Sequence, residues 1–228
     1  AFRMLPEIVW NMPPLGTYNL HGSLLPKYRG AAPINWAIIN GETESGVTSF
    51  KLKHEIDTGN MLFQAKTPIH KTTTAGELHD SLMTIGAELV LKTVKAIESG
   101  DYQLKPQDDA QSIHAPKLFK ETCKIYWNHE PEKIYNLIRG LSPYPAAFTE
   151  FLDKNGQVTG IKIFVSEMEK TSHEYDAGIV LSDGKTYLKA ACSNGFIYIK
   201  ELQMAGKKRM LIEEFLRGFK MEPGLRFI

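Results

Sequence analysis

The sequence predicts an α/β layered first part followed by a small OB-like β-barrel, and three observations carry that reading. Strand-like and helix-like runs alternate over residues 1–100. A polar stretch without periodicity, residues 101–117, then breaks the pattern. Beyond it come five short strand-like runs, most of them separated by glycine.

In chain order, Ala1-Phe2-Arg3-Met4-Leu5-Pro6 reads as the end of a buried strand running into a short helix over residues 6–12. No opening strand or Gly-rich turn precedes it, so the chain is expected to begin in mid-fold. Residues 15–21 read as a strand. Residues 32–40 read as a helix, with Pro33 near its first turn, where a missing N–H costs nothing. Strands at 46–52 and 61–65 flank a turn at Asp57. The clearest helix spans 75–98: Leu78, Leu82, Ile85, Leu89, Val94 and Ile97 recur at three- to five-residue steps, and Gly100 stops it. After the polar stretch, residues 131–141 form a short helix. Strands are then expected at 147–152, 158–166, 178–182, 186–191 and 196–201, with Gly156, Gly178, Gly184 and Gly195 marking most of the turns. The domains expected are 1–100, a linker at 101–117, and the barrel at 118–228.

A chain of 228 residues is enough for one large or two modest domains, each with its own core. Hydrophobic residues make up 43% and charged residues 23%, the balance of an ordinary globular protein. No apolar run approaches a membrane span and no secretory leader is visible, so no membrane partner is expected and the expected location is cytoplasmic. Cys123 and Cys192 stand far apart, without a C-x-x-C spacing or a Cys/His cluster. They fit idle thiols in a reducing compartment, and no metal site is expected. The net charge of +1 divides unevenly: residues 1–112 hold 10 Lys/Arg against 12 Asp/Glu, residues 113–228 hold 17 against 14. The excess in the second part permits a nucleic-acid contact without demanding one.

The most informative segment is Asn19-Leu20-His21-Gly22-Ser23-Leu24-Leu25-Pro26, followed by Asp57-Thr58-Gly59. Asn19 and His21 are two apart at a strand end, so their side chains leave the same face. A further strand end can deliver Asp57 beside them. An amide, an imidazole and a carboxylate placed in this way can run acyl transfer without a metal. Each of these residues is also common at strand ends, and composition alone favours capping and hydrogen-bonding roles.

The surrounding residues shift that balance. Residues 19–36, continuing through Lys27-Tyr28-Arg29-Gly30 to Ala32-Pro33-Ile34-Asn35-Trp36, resemble the signature of the folate-dependent formyltransferases, and Asp57-Thr58-Gly59 matches that family's second motif. Residues 1–6, Ser142-Pro143-Tyr144-Pro145-Ala146 and Leu202-Gln203-Met204-Ala205-Gly206-Lys207-Lys208-Arg209 match further segments in register. Within the family, the chain is most similar to the branch that acts on charged initiator tRNA.

The resemblance implies a fold: the C-terminal part of a Rossmann-like formyltransferase domain, then an OB-like barrel that contacts tRNA. It implies 10-formyltetrahydrofolate as co-substrate and initiator methionyl-tRNA as partner, with neither DNA nor a membrane. Asn19, His21 and Asp57 match the family's catalytic positions. Arg3, Met4 and Leu5, with Ser23, Leu24, Leu25 and Pro26, match segments lining the folate site, and Glu55 and Ile56 belong to the loop closing over it. Lys207, Lys208 and Arg209 are the expected tRNA contacts, with Lys117 and Lys120 as secondary candidates. Lys27, Tyr28 and Arg29 fit either a phosphate contact or a solvated loop. Trp36 and Trp127 are expected in the core. The family's first βαβαβ half has no counterpart here, so transferase activity is expected of the complete protein rather than of these 228 residues alone. The rival functions are a formyltransferase acting on an amino-sugar nucleotide and a non-catalytic RNA-binding module.

Overall fold

A computed structural model describes residues 5–152, 156–219 and 225–228. The chain divides into two compact units, one built from most of the chain up to Lys117 and the other chiefly from Leu118–Ile228.

Up to Lys117 the elements are α1 (Glu7–Trp10), β1 (Tyr18–His21), β2 (Arg29–Gly30), α2 (Pro33–Ile39), β3 (Glu44–Lys51), β4 (Met61–Pro68), α3 (Ala75–Ser99) and β5 (His114–Ala115). An antiparallel sheet runs in the order β1-β3-β4, with Asn19 opposite Phe50 and His21 opposite Thr48. Central β3 is buried from Ser45 to Phe50 on both faces, which is why its sequence does not alternate. Helix α3 covers one face: the hydroxyls of Thr93 and Ser49 hydrogen-bond at 2.9 Å, and Lys92 Nζ lies 4.3 Å from the Phe63 ring centre.

The stripe expected on α3 needs one correction. Leu78, Leu82 and Leu89 are buried, but Val94 is 46% exposed and Thr93 takes its place inside. A step of five residues from Leu89 overshoots the helical repeat and turns the side chain off the buried face. Thr93 is one step nearer and buries its hydroxyl by bonding Ser49 and, at 2.7 Å, the Leu89 carbonyl.

The second unit contains α4 (Pro131–Leu141), β6 (Ala147–Leu152), β7 (Val158–Lys170), β8 (Val180–Ser182), β9 (Leu188–Cys192), β10 (Gly195–Met204), β11 (Met210–Leu211), α5 (Ile212–Gly218) and β12 (Arg226–Phe227). Its sheet runs β12-β6-β7-β10-β9-β8, antiparallel throughout, and β11 pairs with β10. The ends approach each other. Val180 N–H donates to the Leu225 carbonyl at 3.2 Å, and Phe227 N–H donates to the Gly178 carbonyl at 2.8 Å, so the sheet is a nearly closed barrel. Ile134, Ile138 and Leu141 of α4 join Ile163, Ile197 and Phe227 in its core. Trp127 stacks on Phe227 with ring centres 5.1 Å apart, and its Nε1–H donates to Thr149 Oγ1 at 2.9 Å. The expected strands are present, β7 and β10 longer than expected. Elements β11, α5 and β12 went unread because two- and seven-residue pieces are too short to display a period.

Candidate active site

His21 is the last residue of β1 and is buried, at 6% exposure. Its Nε2 lies 2.8 Å from the Tyr28 carbonyl, which can only accept, so Nε2 carries the proton. Its Nδ1 faces Asp57 Oδ2 at 3.6 Å. Asp57 comes from the turn between β3 and β4 and has a positive φ of +54°. Its Oδ2 also accepts the Gly30 N–H at 2.9 Å. Gly30 has a φ of +124°, and a Cβ there would lie 2.5 Å from the Ala115 carbonyl oxygen. Only glycine lets the chain present that N–H while pairing with β5. Asn19 is on the same strand face as His21, nearer solvent, and its amide has no partner among the described residues. The structure thus joins His21 to Asp57 and leaves a neutral donor free on the same strand face.

On the opposite face of β1 from Asn19 and His21, Tyr18 hydrogen-bonds Tyr102 at 3.1 Å. Burial first, then that bond, push its hydroxyl up to about 12, so it remains a neutral phenol.

The other expected folate-site residues are placed unequally. Arg3 and Met4 lie outside the described residues; Leu5 is exposed. Ser23 and Leu25 are buried at 0% and 3% and hold the loop together. Ser23 Oγ donates to the Lys27 carbonyl at 2.6 Å, and the Thr48 hydroxyl donates to the Ser23 carbonyl at 2.7 Å and accepts the Leu25 N–H at 3.1 Å. Leu24 and Pro26 retain accessible surface. Glu55 and Ile56 are exposed on the turn before Asp57.

The Lys27–Arg29 segment is not an open basic loop. Tyr28 is 4% exposed and its hydroxyl donates to Glu42 at 2.9 Å. Arg29 is bound to Gln107 and, at 2.7 Å, to Asp109, which takes its guanidinium out of reach of a phosphate. Gln107 was not expected at the site. It lies in the 101–117 stretch, which runs hydrogen-bonded along the first unit: Lys105 pairs with Met61 and β5 with β2. Polar composition marked that stretch only as a connection, and no periodicity exposes such pairings.

Of the expected tRNA contacts, Lys207 and Lys208 are exposed at the tip joining β10 to β11, with no ion-pair partner among the described residues. Arg209 is engaged: it pairs through two nitrogens with Glu201 at 2.5 and 2.6 Å and stacks 4.3 Å from the Phe164 ring centre. Lys120 is exposed, its Nζ 5.7 Å from the Phe148 ring centre, and Lys117 is exposed. Lys120, Phe119, Phe148, Lys162 and Met204 line a cleft of about 570 Å³ in the second unit. Among the described residues, no group of His, Cys, Asp and Glu has the arrangement of a metal site, and no helix is long and apolar enough to cross a membrane.

This fold and site define a class, and comparison with known proteins places the chain in it. Residues 2–94 match the formyl transferase family model and residues 117–220 the formyl transferase C-terminal domain. The chain belongs to the formyltransferase family. Among named relatives, the methionyl-tRNA formyltransferase of Bacteroides thetaiotaomicron is 51% identical over 99% of this chain and 71% of its own length. That of Flavobacterium johnsoniae is 52% identical over 96% and 69%. Two solved structures share the fold. HypX from Aquifex aeolicus in complex with tetrahydrofolic acid superposes with a TM-score of 0.70 at 21% identity, over 97% of this chain and 39% of that one. The N-formyltransferase from Helicobacter canadensis, in complex with folinic acid and dTDP-3-aminofucose, gives 0.62 at 26% identity, over 85% and 66%.

Proposed function

We propose that the protein to which this chain belongs is a cytoplasmic methionyl-tRNA formyltransferase. It transfers the formyl group of 10-formyltetrahydrofolate to the α-amino group of methionine on initiator tRNA. The observation that carries this reading is the buried His21 facing Asp57 at 3.6 Å, with the unpartnered amide of Asn19 on the same strand face.

The amine attacks the formyl carbon and a C–N bond forms; the carbonyl oxygen becomes an oxyanion in a tetrahedral intermediate. The intermediate collapses by breaking the bond to the folate nitrogen, so the amine loses a proton and the leaving nitrogen gains one. Asn19 donates to the oxyanion and cannot itself ionise, a contribution whose loss costs on the order of a hundredfold or more. The His21–Asp57 pair moves the proton. Asp57 Oδ2 is held by Gly30, while Oδ1 has no partner among the described residues and is free to hold the attacking group or a water. Folate meets the Leu24 and Pro26 side of the motif loop; Ser23 and Leu25 act behind it as supports.

Lys207, Lys208 and Lys120 supply the phosphate contacts of the tRNA-binding face. They add salt-dependent affinity without reading sequence. Arg209, paired with Glu201, shapes the hairpin that carries the two lysines. The deciding experiment is formylation by the full-length gene product of charged initiator tRNA, set beside an amino-sugar nucleotide, with 10-formyltetrahydrofolate as donor. Turnover on the tRNA alone is expected. Turnover on the sugar nucleotide alone would move the substrate assignment, and turnover on neither would defeat the enzyme reading.

A further inference from the structure

We propose that Gln107 is a positioning residue for the His21–Asp57 pair, acting through the backbone of the Asp57 turn; the role rests on the formyl-transfer reading of that pair. The Gln107 side chain is half-buried and both ends of its amide are in use. Oε1 accepts from Arg29 Nε at 3.0 Å and from Nη2 at 2.8 Å. Nε2 donates to the carbonyls of Asp57 and Gly59, each at 2.8 Å. The neighbours dictate this orientation, because a guanidinium only donates and a carbonyl only accepts. Among the common side chains, only a carboxamide can accept at one end and donate twice at the other without carrying charge.

The clamp falls where the chain is least able to hold itself. Asp57, at φ +54°, occupies the left-handed region that residues other than glycine rarely adopt. Gly59 runs so close to the Lys51 carbonyl that a Cβ would lie 1.7 Å from its oxygen. The Asp57 carboxylate depends on this turn to meet both Gly30 N–H and His21 Nδ1. Arg29, anchored on Asp109, is the chain neighbour of Gly30. One guanidinium–carboxamide pair therefore ties together the turn that carries the carboxylate and the segment whose N–H holds it. Displacing a reacting group by about 1 Å can cost on the order of a hundredfold in rate.

The test uses Gln107→Glu in the full-length gene product. A carboxylate keeps the pairing with Arg29 but has no N–H for the two carbonyls. The expected result is a kcat lower by about tenfold to a hundredfold, with KM for both substrates within about twofold. Backbone hydrogen exchange should rise in the segment 53–60 and stay unchanged in the barrel. In an Asp57→Asn background the same change should cost less than about twofold in kcat, since its route to the reaction is already gone. Gln107→Met, which removes the amide without adding charge, replaces Gln107→Glu if the latter does not fold. An unchanged kcat, an unchanged exchange rate in 53–60, or an equal loss in the Asp57→Asn background would overturn the role. Faster exchange with formylation insensitive to both Gln107 and Asp57 would refute the catalytic reading itself and leave a clamp with no reaction to serve.

Discussion

His21 has an acceptor at each ring nitrogen, the Tyr28 carbonyl at 2.8 Å and the Asp57 carboxylate at 3.6 Å. A proton on Nδ1 is therefore directed at Asp57, and the ring cannot turn without giving up the Tyr28 bond. Asn19 has no comparable commitment, which suits a donor kept for a transient oxyanion. Asn19→Ala is expected to lower kcat by about a hundredfold to a thousandfold, with KM for tRNA and folate changed only severalfold. Steady-state formylation measures both; loss confined to KM would assign the amide to ground-state binding. The two cysteines are idle by contrast. Burial pushes the Cys192 thiol up to about 12 and raises that of Cys123. The nucleophilic thiolate is thus suppressed. Neither should react with a disulfide reagent at about pH 8 in the native protein, and both should react in denaturant.

Helix α4 shows how a short element is held by what it buries. It turns Ile134, Ile138 and Leu141 into the barrel, each at 1% exposure or less. Ile138→Ala should cost about 2–5 kcal/mol, read as a lower denaturant midpoint at unchanged slope. The turn between β8 and β9 is instead held by one carboxylate. Asp183 accepts the hydroxyl of Thr186 at 2.5 Å, and the backbone N–H groups of Thr186 and Lys185 at 2.8 and 2.9 Å. These bonds, the Thr186 hydroxyl first, hold its carboxyl well below the usual aspartate range. A depressed carboxylate stabilises the fold above its unfolded value, near 3.9, and that contribution is lost as pH falls toward the folded value. The Tm gap between wild type and Asp183→Asn should therefore be largest near neutrality and shrink as pH drops below about 4.

Across the whole chain the charge is nearly balanced, so association with nucleic acid depends on where cations are left unpaired rather than on the total. Lys207 and Lys208 are unpaired among the described residues; Arg209 and Lys200 are not, being held by Glu201 and, at 3.1 Å, by Glu167. Replacing Lys207 and Lys208 together by Ala should reduce the slope of log K against log salt for tRNA binding by about 1.5. Arg209→Ala should change that slope less and the stability of the β10–β11 hairpin more. Filter-binding titrations across salt concentrations, with thermal unfolding alongside, separate the two effects.

Much of this was legible in the residues themselves. Strand-like runs bounded by turn residues gave most of the strands, the spacing of apolar residues gave α3, and the order of motifs around Asn19, His21 and Asp57 pointed to their family and chemistry. Such signals are local, each resting on residues a few positions apart. By itself, then, the sequence determined the longer elements, the fold class and the three candidate catalytic side chains. Only the tertiary structure decided which side chains were free to act. It turned Ser23 and Leu25 inward, moved α3's buried stripe from Val94 to Thr93, tied Arg209 to Glu201 and took Arg29 for Gln107. Gln107 reaches Asp57 across 50 positions of chain and Arg29 across 78. Contacts at that separation leave no periodic trace, because they depend on how strands and turns are brought together and not on the spacing along any one of them.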